Sequence, residues 1–480
     1  HLPCCINSRM VGSTHVDVDH AIYVCASNLI ELFQNLVPSQ YLTPADKELY
    51  VPIYEQTLKD LRFSILTNPL PTQTFYVAGQ TGTGKTTALN FLANEEIEAQ
   101  FHVENIHSID LLDFDDIHII DLLLMTSYWL MKQEEAITGK RKLEKKFRAQ
   151  LKRIEGKHQG TYQEETIGVD AKEAGIRAKT ELELDTKNNP ISRFLSFFNL
   201  TGSFAAEFRG NYEYRKLIRE QFEFNLADLL NVANDVIQAF ETEVTNGKPL
   251  LLIYNELDHI RDLKRINNLF IHKRYYLESL ACRKVVSIPV YLASDNGFTR
   301  QGTIERFGLK TRQNPLAPRS ETGRKQVEDC KELLRKVIQY RIAPGHDLVR
   351  ADAIERAIEG SGGVLRQFVE IMHHASQRAA MSDPNGQITL GDVEEGVHSV
   401  RRRMEPAILG NIALLNHVLL QHTPPDEEVE PKLHASFTSA LLGNQILIYY
   451  NDPAWYEVNP LLQRTVEIYA RQRPERPPLT

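Results

Sequence analysis

Residues 79–86 read Gly-Gln-Thr-Gly-Thr-Gly-Lys-Thr and fill the pattern GxxxxGK[ST] at every fixed position. Their flanks restrict the fold further. Thr74–Ala78, a β-branched and aromatic run, predicts a buried strand, and residues 87–94 (TALNFLAN) predict a helix. Glycine is needed in such a loop because the chain must curl tightly without Cβ clashes. The amides of the curl and the helix start then aim donors at phosphate oxygens. On this pattern Gly79, Gln80, Thr81, Gly82, Thr83, Gly84, Lys85, Thr86 and Thr87 are the expected nucleotide contacts. Lys85 would reach the terminal phosphates, and the Thr86 hydroxyl would ligate Mg²⁺.

A chain of 480 residues exceeds one ordinary domain, and roughly three are expected. An apolar share of 42% and a charged share of 25% exclude fibrous and largely disordered classes. The net charge of −8 argues against a protein that coats nucleic acid along its whole surface, while leaving a local basic patch open. The five cysteines, Cys4, Cys5, Cys25, Cys282 and Cys330, form no CxxC pair, which predicts reduced thiols. The first residues carry no signal-peptide pattern, and Met10 is a candidate native start. The longest apolar run, Ile117 to Met131, is broken by His118 and Asp121 and is too short for a bilayer. The expectation is a soluble, cytoplasmic, multidomain protein without a membrane partner.

A second strand, Leu250-Leu251-Leu252-Ile253-Tyr254, ends in Asn255-Glu256-Leu257-Asp258. Its continuous apolar run suits a parallel strand covered on both faces. In the Walker B arrangement the strand's last residue holds Mg²⁺ and the following acid orients the attacking water. Asn255 occupies the metal position and Glu256 the catalytic one. An amide can bond a magnesium-bound water but supplies no charge, so metal affinity should be weaker. Val285 to Ala293 predicts a third strand, with Ser294 and Asn296 at its tip as candidate γ-phosphate sensors. Arg300 and Arg306 follow as candidate arginine fingers, a solvated surface arginine being the alternative for each.

The motif order resembles the AAA+ and STAND branch of P-loop ATPases, above all bacterial origin-recognition-like ATPases, over about residues 50–460. The resemblance is carried by GQTGTGKTT at 79–87, LLLIYNELD at 250–258, SIPVYLAS at 287–294 and SGGVLRQF at 361–368. It implies ATP and Mg²⁺ as cofactors, and catalytic roles for Lys85, Glu256 and Arg366, the last as the sensor 2 arginine of a helical lid. It also implies self-assembly and a protein effector, as in mobile-element or anti-phage defence systems. Asn255 departs from the pattern and puts robust turnover in doubt.

The expected architecture is an α/β P-loop NTPase sandwich with a parallel sheet. To it are added a helical lid, an inserted basic helix with a β-hairpin, and a C-terminal winged-helix-like domain. The expected boundaries are 1–50 for an N-terminal helical segment, including a helix at Ile22 to Leu36, and 51–320 for the ATPase core. The lid is expected at 321–400 and the C-terminal domain at 401–480. The insert spans about 138–215. Its residues 140–157 hold nine basic and two acidic side chains, with Leu143, Phe147, Leu151 and Ile154 at helical spacing. That segment reads as a docking helix for nucleic acid or an acidic partner, or as a solvated face. Ile176–Leu184 and Phe204–Arg209 alternate around the apolar run Ile191–Leu200, suggesting a ribbon with an apolar tip. At the C-terminus, two helices precede the strands Ile446–Tyr450 and Trp455–Val458, joined at Asn451-Asp452-Pro453. Asp426, Glu427, Glu428 and Glu430 make this a poor DNA reader and favour a protein contact, although Arg401-Arg402-Arg403 argues the other way. Three functions follow: an ATP-hydrolysing switch, a nucleotide-sensing scaffold that barely hydrolyses, and an ATP-dependent DNA-loading protein.

Overall fold

Apolar runs supply five strands: β1 (Thr74–Ala78), β2 (His102–His107), β3 (Leu250–Asn255), β4 (Arg283–Ile288) and β5 (Ile304–Arg306). They form one sheet in the order β2-β3-β4-β1-β5 in the computed structural model. The structure describes residues 25–166, 203–294, 296–299, 304–443, 445–450 and 454–472. Strand β4 thus separates β1 from β3, the additional central strand expected of this class. β2 and β3 run parallel with His107 opposite Asn255, and β3 and β4 run parallel with Tyr254 opposite Val286. Every residue of β1 and β3 is buried, as strands covered on both faces require.

The chain divides into two compact units. The first comprises 1–63, 77–93 and 288–480. Its N-terminal helix, Leu29–Gln34, starts later than the expected Ile22, because the Asn28 side chain caps it by accepting from the Ile30 and Glu31 amides. Helix Ala351–Ser361 ends in Gly362 and Gly363 at φ 58° and 88°, and helix Leu365–Ser382 follows. At Gly363 a Cβ would lie 2.5 Å from the Leu309 carbonyl, so this turn requires glycine. Further on, helices Ile412–Gln421 and Pro431–Gly443 precede an antiparallel pair, β6 (Leu447–Tyr450) and β7 (Trp455–Val458). The expected turn at 451–453 lies outside the described residues. Most of the described residues of the two strands are buried. Trp455 is 1% exposed, stacks on Tyr450 at 4.2 Å between ring centroids, and joins a core cluster with Val364 and Ile448.

The second unit comprises 64–76 and 94–287. The basic helix exists as Lys142–Thr166, and Leu143, Phe147, Leu151 and Ile154 are all buried. Lys146 pairs with Glu243 and Gln150 bonds Asp235, both on helix Leu226–Glu243. The apolar stripe is therefore a packing face, and only the opposite side meets solvent. The acidic turn after β2 also has partners. Asp116 pairs with Arg219 at 2.8 Å, Arg265 at 2.8 Å and Arg215 at 3.1 Å, tying the helix Tyr212–Glu223 to it. Burial alone would raise the Asp116 pKa, but these guanidiniums outweigh it and hold the carboxyl below its usual value.

Two strand expectations are corrected. Phe204–Arg209 lies in a helix, Ser203–Gly210, with Phe208 buried, so its alternation reflects helical packing and not a ribbon. Residues 176–184 and 191–200 lie outside the described residues. The strand expected to reach Ala293 stops at Ile288, because Pro289 has no amide for the ladder, and Val290–Ser294 is helical.

Phe147→Ala should destabilise the folded chain by about 3–5 kcal/mol in urea unfolding, the cost of truncating a fully buried aromatic. Lys145→Ala, on the solvent side of the same helix, should stay within about 0.5 kcal/mol.

Candidate nucleotide-binding site

The loop after β1 takes the conformation its glycines permit. Gly82 and Gly84 stand at φ 91° and 93°, a region L side chains rarely adopt. Gly79 is required for another reason: a Cβ there would lie 2.5 Å from the Phe307 carbonyl. Gln80, Thr83 and Lys85 are buried, and the Lys85 amine donates to the carbonyls of Gly79 at 2.7 Å and Gln80 at 2.9 Å. Lys85 opens the helix Lys85–Asn90, and Thr86 beside it is half-buried. Thr87, expected among the nucleotide contacts, uses its hydroxyl to accept from the Leu42 amide at 3.3 Å. Asn90 reinforces that contact by donating to the Leu42 carbonyl at 2.9 Å.

The lid meets this loop within the same compact unit. The Arg366 amide donates to the Gly82 carbonyl at 2.8 Å, and the Arg366 Cβ lies 3.0 Å from where a Cβ on Gly82 would be. Leu365 closes on Gly84 in the same way, at 2.9 Å. The Arg366 backbone is therefore beside the glycine loop. Three contacts have no motif to announce them. Tyr54 donates its hydroxyl to the Thr83 carbonyl at 2.6 Å, Gln445 donates to the Thr81 carbonyl at 3.1 Å, and Gln80 bonds the backbone of β6. Burial pushes the Tyr54 hydroxyl far above its usual pKa, so it stays protonated and a donor.

The end of β3 belongs to the second compact unit. Asn255 is fully buried, and its amide nitrogen donates to Asn105 Oδ1 at 2.7 Å. Its own Oδ1 is buried and has no hydrogen-bond partner among the described residues. Ser287, also fully buried with an unpartnered hydroxyl, follows the β4 residue that pairs with Tyr254. Glu256 adopts φ 71°, an uncommon conformation for a non-glycine residue. Its carboxylate accepts from the Ile109 amide at 3.2 Å and lies 3.5 Å from His107 Nδ1. Asp110 nearby is raised in pKa by burial and by the Glu256 charge. Asp258 is buried as well.

The remaining candidates fare differently. Ser294 and Asn296 fall in the short helices Val290–Ser294 and Asn296–Thr299, so neither is at a strand tip. Ser287 lies inside β4, next to its end. Arg300 lies outside the described residues. Arg306, on β5, is exposed, and its guanidinium donates to the Ala293 carbonyl at 3.1 Å. Among the described residues no group of three or more His, Cys, Asp or Glu side chains could hold a metal ion, and no helix is long and apolar enough to cross a membrane.

Sheet order and glycine loop together define a P-loop NTPase architecture. No family model and no curated protein matches the chain. Solved structures similar to it include the following three. A Walker-type ATPase of Pyrococcus abyssi is 12% identical over 91% of this chain and 99% of its own, with a TM-score of 0.43. The Cdc6p protein of Pyrobaculum aerophilum is 13% identical over 92% and 98%, at 0.37. The Orc1 protein of Aeropyrum pernix, solved in complex with DNA, is 12% identical over 91% and 97%, at 0.36.

Glu256→Gly should leave thermal stability nearly unchanged. It removes left-handed strain of roughly 1–2 kcal/mol and loses a hydrogen bond of about 1 kcal/mol. A melting temperature lowered by more than 8 °C would show that the left-handed backbone carries no such cost.

Proposed function

We propose that the chain binds ATP through residues 79–87 and works as a slowly hydrolysing molecular switch. The observation that carries this reading is the left-handed curl at Gly82 and Gly84, with buried Lys85 folded over its mouth. An ATP polyphosphate would draw the Lys85 ammonium from the two loop carbonyls to its β- and γ-oxygens, while the Arg366 guanidinium offsets γ-phosphate charge from the lid. On the motif resemblance, Glu256 would orient a water whose oxygen attacks the γ-phosphorus as the bond to the β–γ bridging oxygen breaks. ADP and inorganic phosphate leave, and the water's proton passes to phosphate or solvent. Mg²⁺ would neutralise phosphate charge, with the Thr86 hydroxyl as one ligand and, on the motif resemblance, Asn255 in the metal position.

Slowness has two sources. Asn255 adds no charge to the metal, and the Glu256 carboxylate already accepts from the Ile109 amide. A nucleotide-sensing scaffold with little turnover is the same reading at its lower limit. A DNA-loading role draws support from Lys145, Lys152 and Arg153, exposed on the outer face of the basic helix. Self-assembly, a protein effector and a cytoplasmic defence setting extend the proposal on the strength of the motif resemblance.

In a phosphate-release assay with Mg²⁺, wild-type turnover should exceed Lys85→Ala by at least about tenfold, and chelating the metal should abolish it. Asn255→Asp should raise turnover and lower the Mg²⁺ concentration at half-maximal rate. Equal rates for wild type and Lys85→Ala would leave only the non-hydrolysing scaffold.

A further inference from the structure

Each loop carbonyl from Gly79 to Thr83 has a donor, and three of these donors come from outside the loop. Gly79 and Gln80 are served by Lys85, Thr81 by the Gln445 amide, Gly82 by the Arg366 backbone and Thr83 by Tyr54. The N–H and C=O of a trans peptide point in opposite directions. Holding the Thr81 and Thr83 carbonyls outward therefore turns the amides of Gly82 and Gly84 the other way, as a phosphate cradle needs.

The donors are themselves linked. Gln80 is held twice by β6: its Nε2 donates to the Leu447 carbonyl and its Oε1 accepts from the Tyr449 amide at 3.2 Å. Gln445 Oε1 accepts from Gln367 Nε2 at 3.2 Å. Gln367 Oε1 accepts from Asn459 Nδ2 at 2.9 Å, and that same nitrogen lies 3.0 Å from the Gln445 carbonyl. Gln80 is 3% exposed, and Gln367 and Asn459 are fully buried. Burying several amides is costly unless each is bonded, and apolar side chains would fill the same space more cheaply. The network links the phosphate loop, the lid helix and the C-terminal hairpin, with further bonds from Gln367 to Met404 and from the Leu461 amide to Asn459.

We propose that Gln80, Gln367, Gln445 and Asn459 are positioning residues forming an amide latch. Through it the C-terminal hairpin orients the peptide groups of the phosphate loop and sets its affinity for nucleotide phosphates. The proposal rests on the ATP-binding reading above. The latch acts on the ground-state cradle, so it governs binding and not the bond-breaking step.

The test titrates a fluorescent ATP analogue with Mg²⁺ into the full chain. Wild type is compared with Lys85→Ala, Gln445→Glu and Gln367→Met. Gln445→Glu keeps the oxygen that accepts from Gln367 and loses the donor to Thr81. Gln367→Met is neutral, similar in size and two links from the loop carbonyl. Both should raise Kd by about tenfold, the size of one lost buried hydrogen bond. Binding stoichiometry and the single-turnover cleavage rate at saturation should be unchanged. A merely structural role would instead lower stoichiometry at constant Kd. Wild-type Kd in both latch variants, with wild-type binding intact, overturns the latch alone. Absence of saturable binding to the wild type overturns the ATP-binding reading, and the latch with it.

Discussion

Peptide orientation in the phosphate loop is the constraint on which the rest of this molecule depends. A run of main-chain amides can face an anion only if the carbonyls between them face elsewhere, and buried carbonyls must be satisfied. Here they are met by a lysine in the loop, a tyrosine before it, the first turn of a lid helix and an amide from the C-terminal hairpin. The two left-handed glycines provide the freedom, and these donors fix it to one shape. Lid and hairpin are thus part of the loop's own hydrogen-bond accounting, not ornaments added to the sheet.

The end of β3 shows the complementary economy. A carboxylate at position 255 would bring charge, but it would also need compensation in a fully buried place. Asparagine avoids that, uses its nitrogen on Asn105 and keeps an oxygen in reserve. Glu256, the next acid, stands in a left-handed backbone conformation uncommon for a non-glycine residue.

Much of the core was legible because local signals and burial agree there. The glycine loop and the continuous apolar runs of β1 and β3 admit few alternatives, and Gly362-Gly363 marks the lid turn. What could not be read depends on long-range pairing. Nothing near Gln445 announces a partner at Thr81, and Tyr54 looks like any core tyrosine. The tip of β4 was misplaced because the apolar run continues past Pro289, which ends the ladder while hydrophobicity persists into a helix. The basic segment was legible in part. Its charges are conspicuous, but Phe147 and its apolar neighbours dictate where the helix packs, and part of its charge is answered by Glu243.

The hairpin's hold on Gln80 also has a consequence for how the chain is made. The bonded residues are separated by 364 to 369 positions, so the loop emerges from the ribosome long before the strand that shapes it. At typical synthesis rates of about 5–20 residues per second, that interval is roughly 20–70 s. During it the Thr81 carbonyl lacks Gln445, and the Gln80 side chain lacks Leu447 and Tyr449. A nascent chain would thus carry the complete phosphate-binding motif without its finished shape. Competence for nucleotide would come late in synthesis, once the β6 segment had folded back.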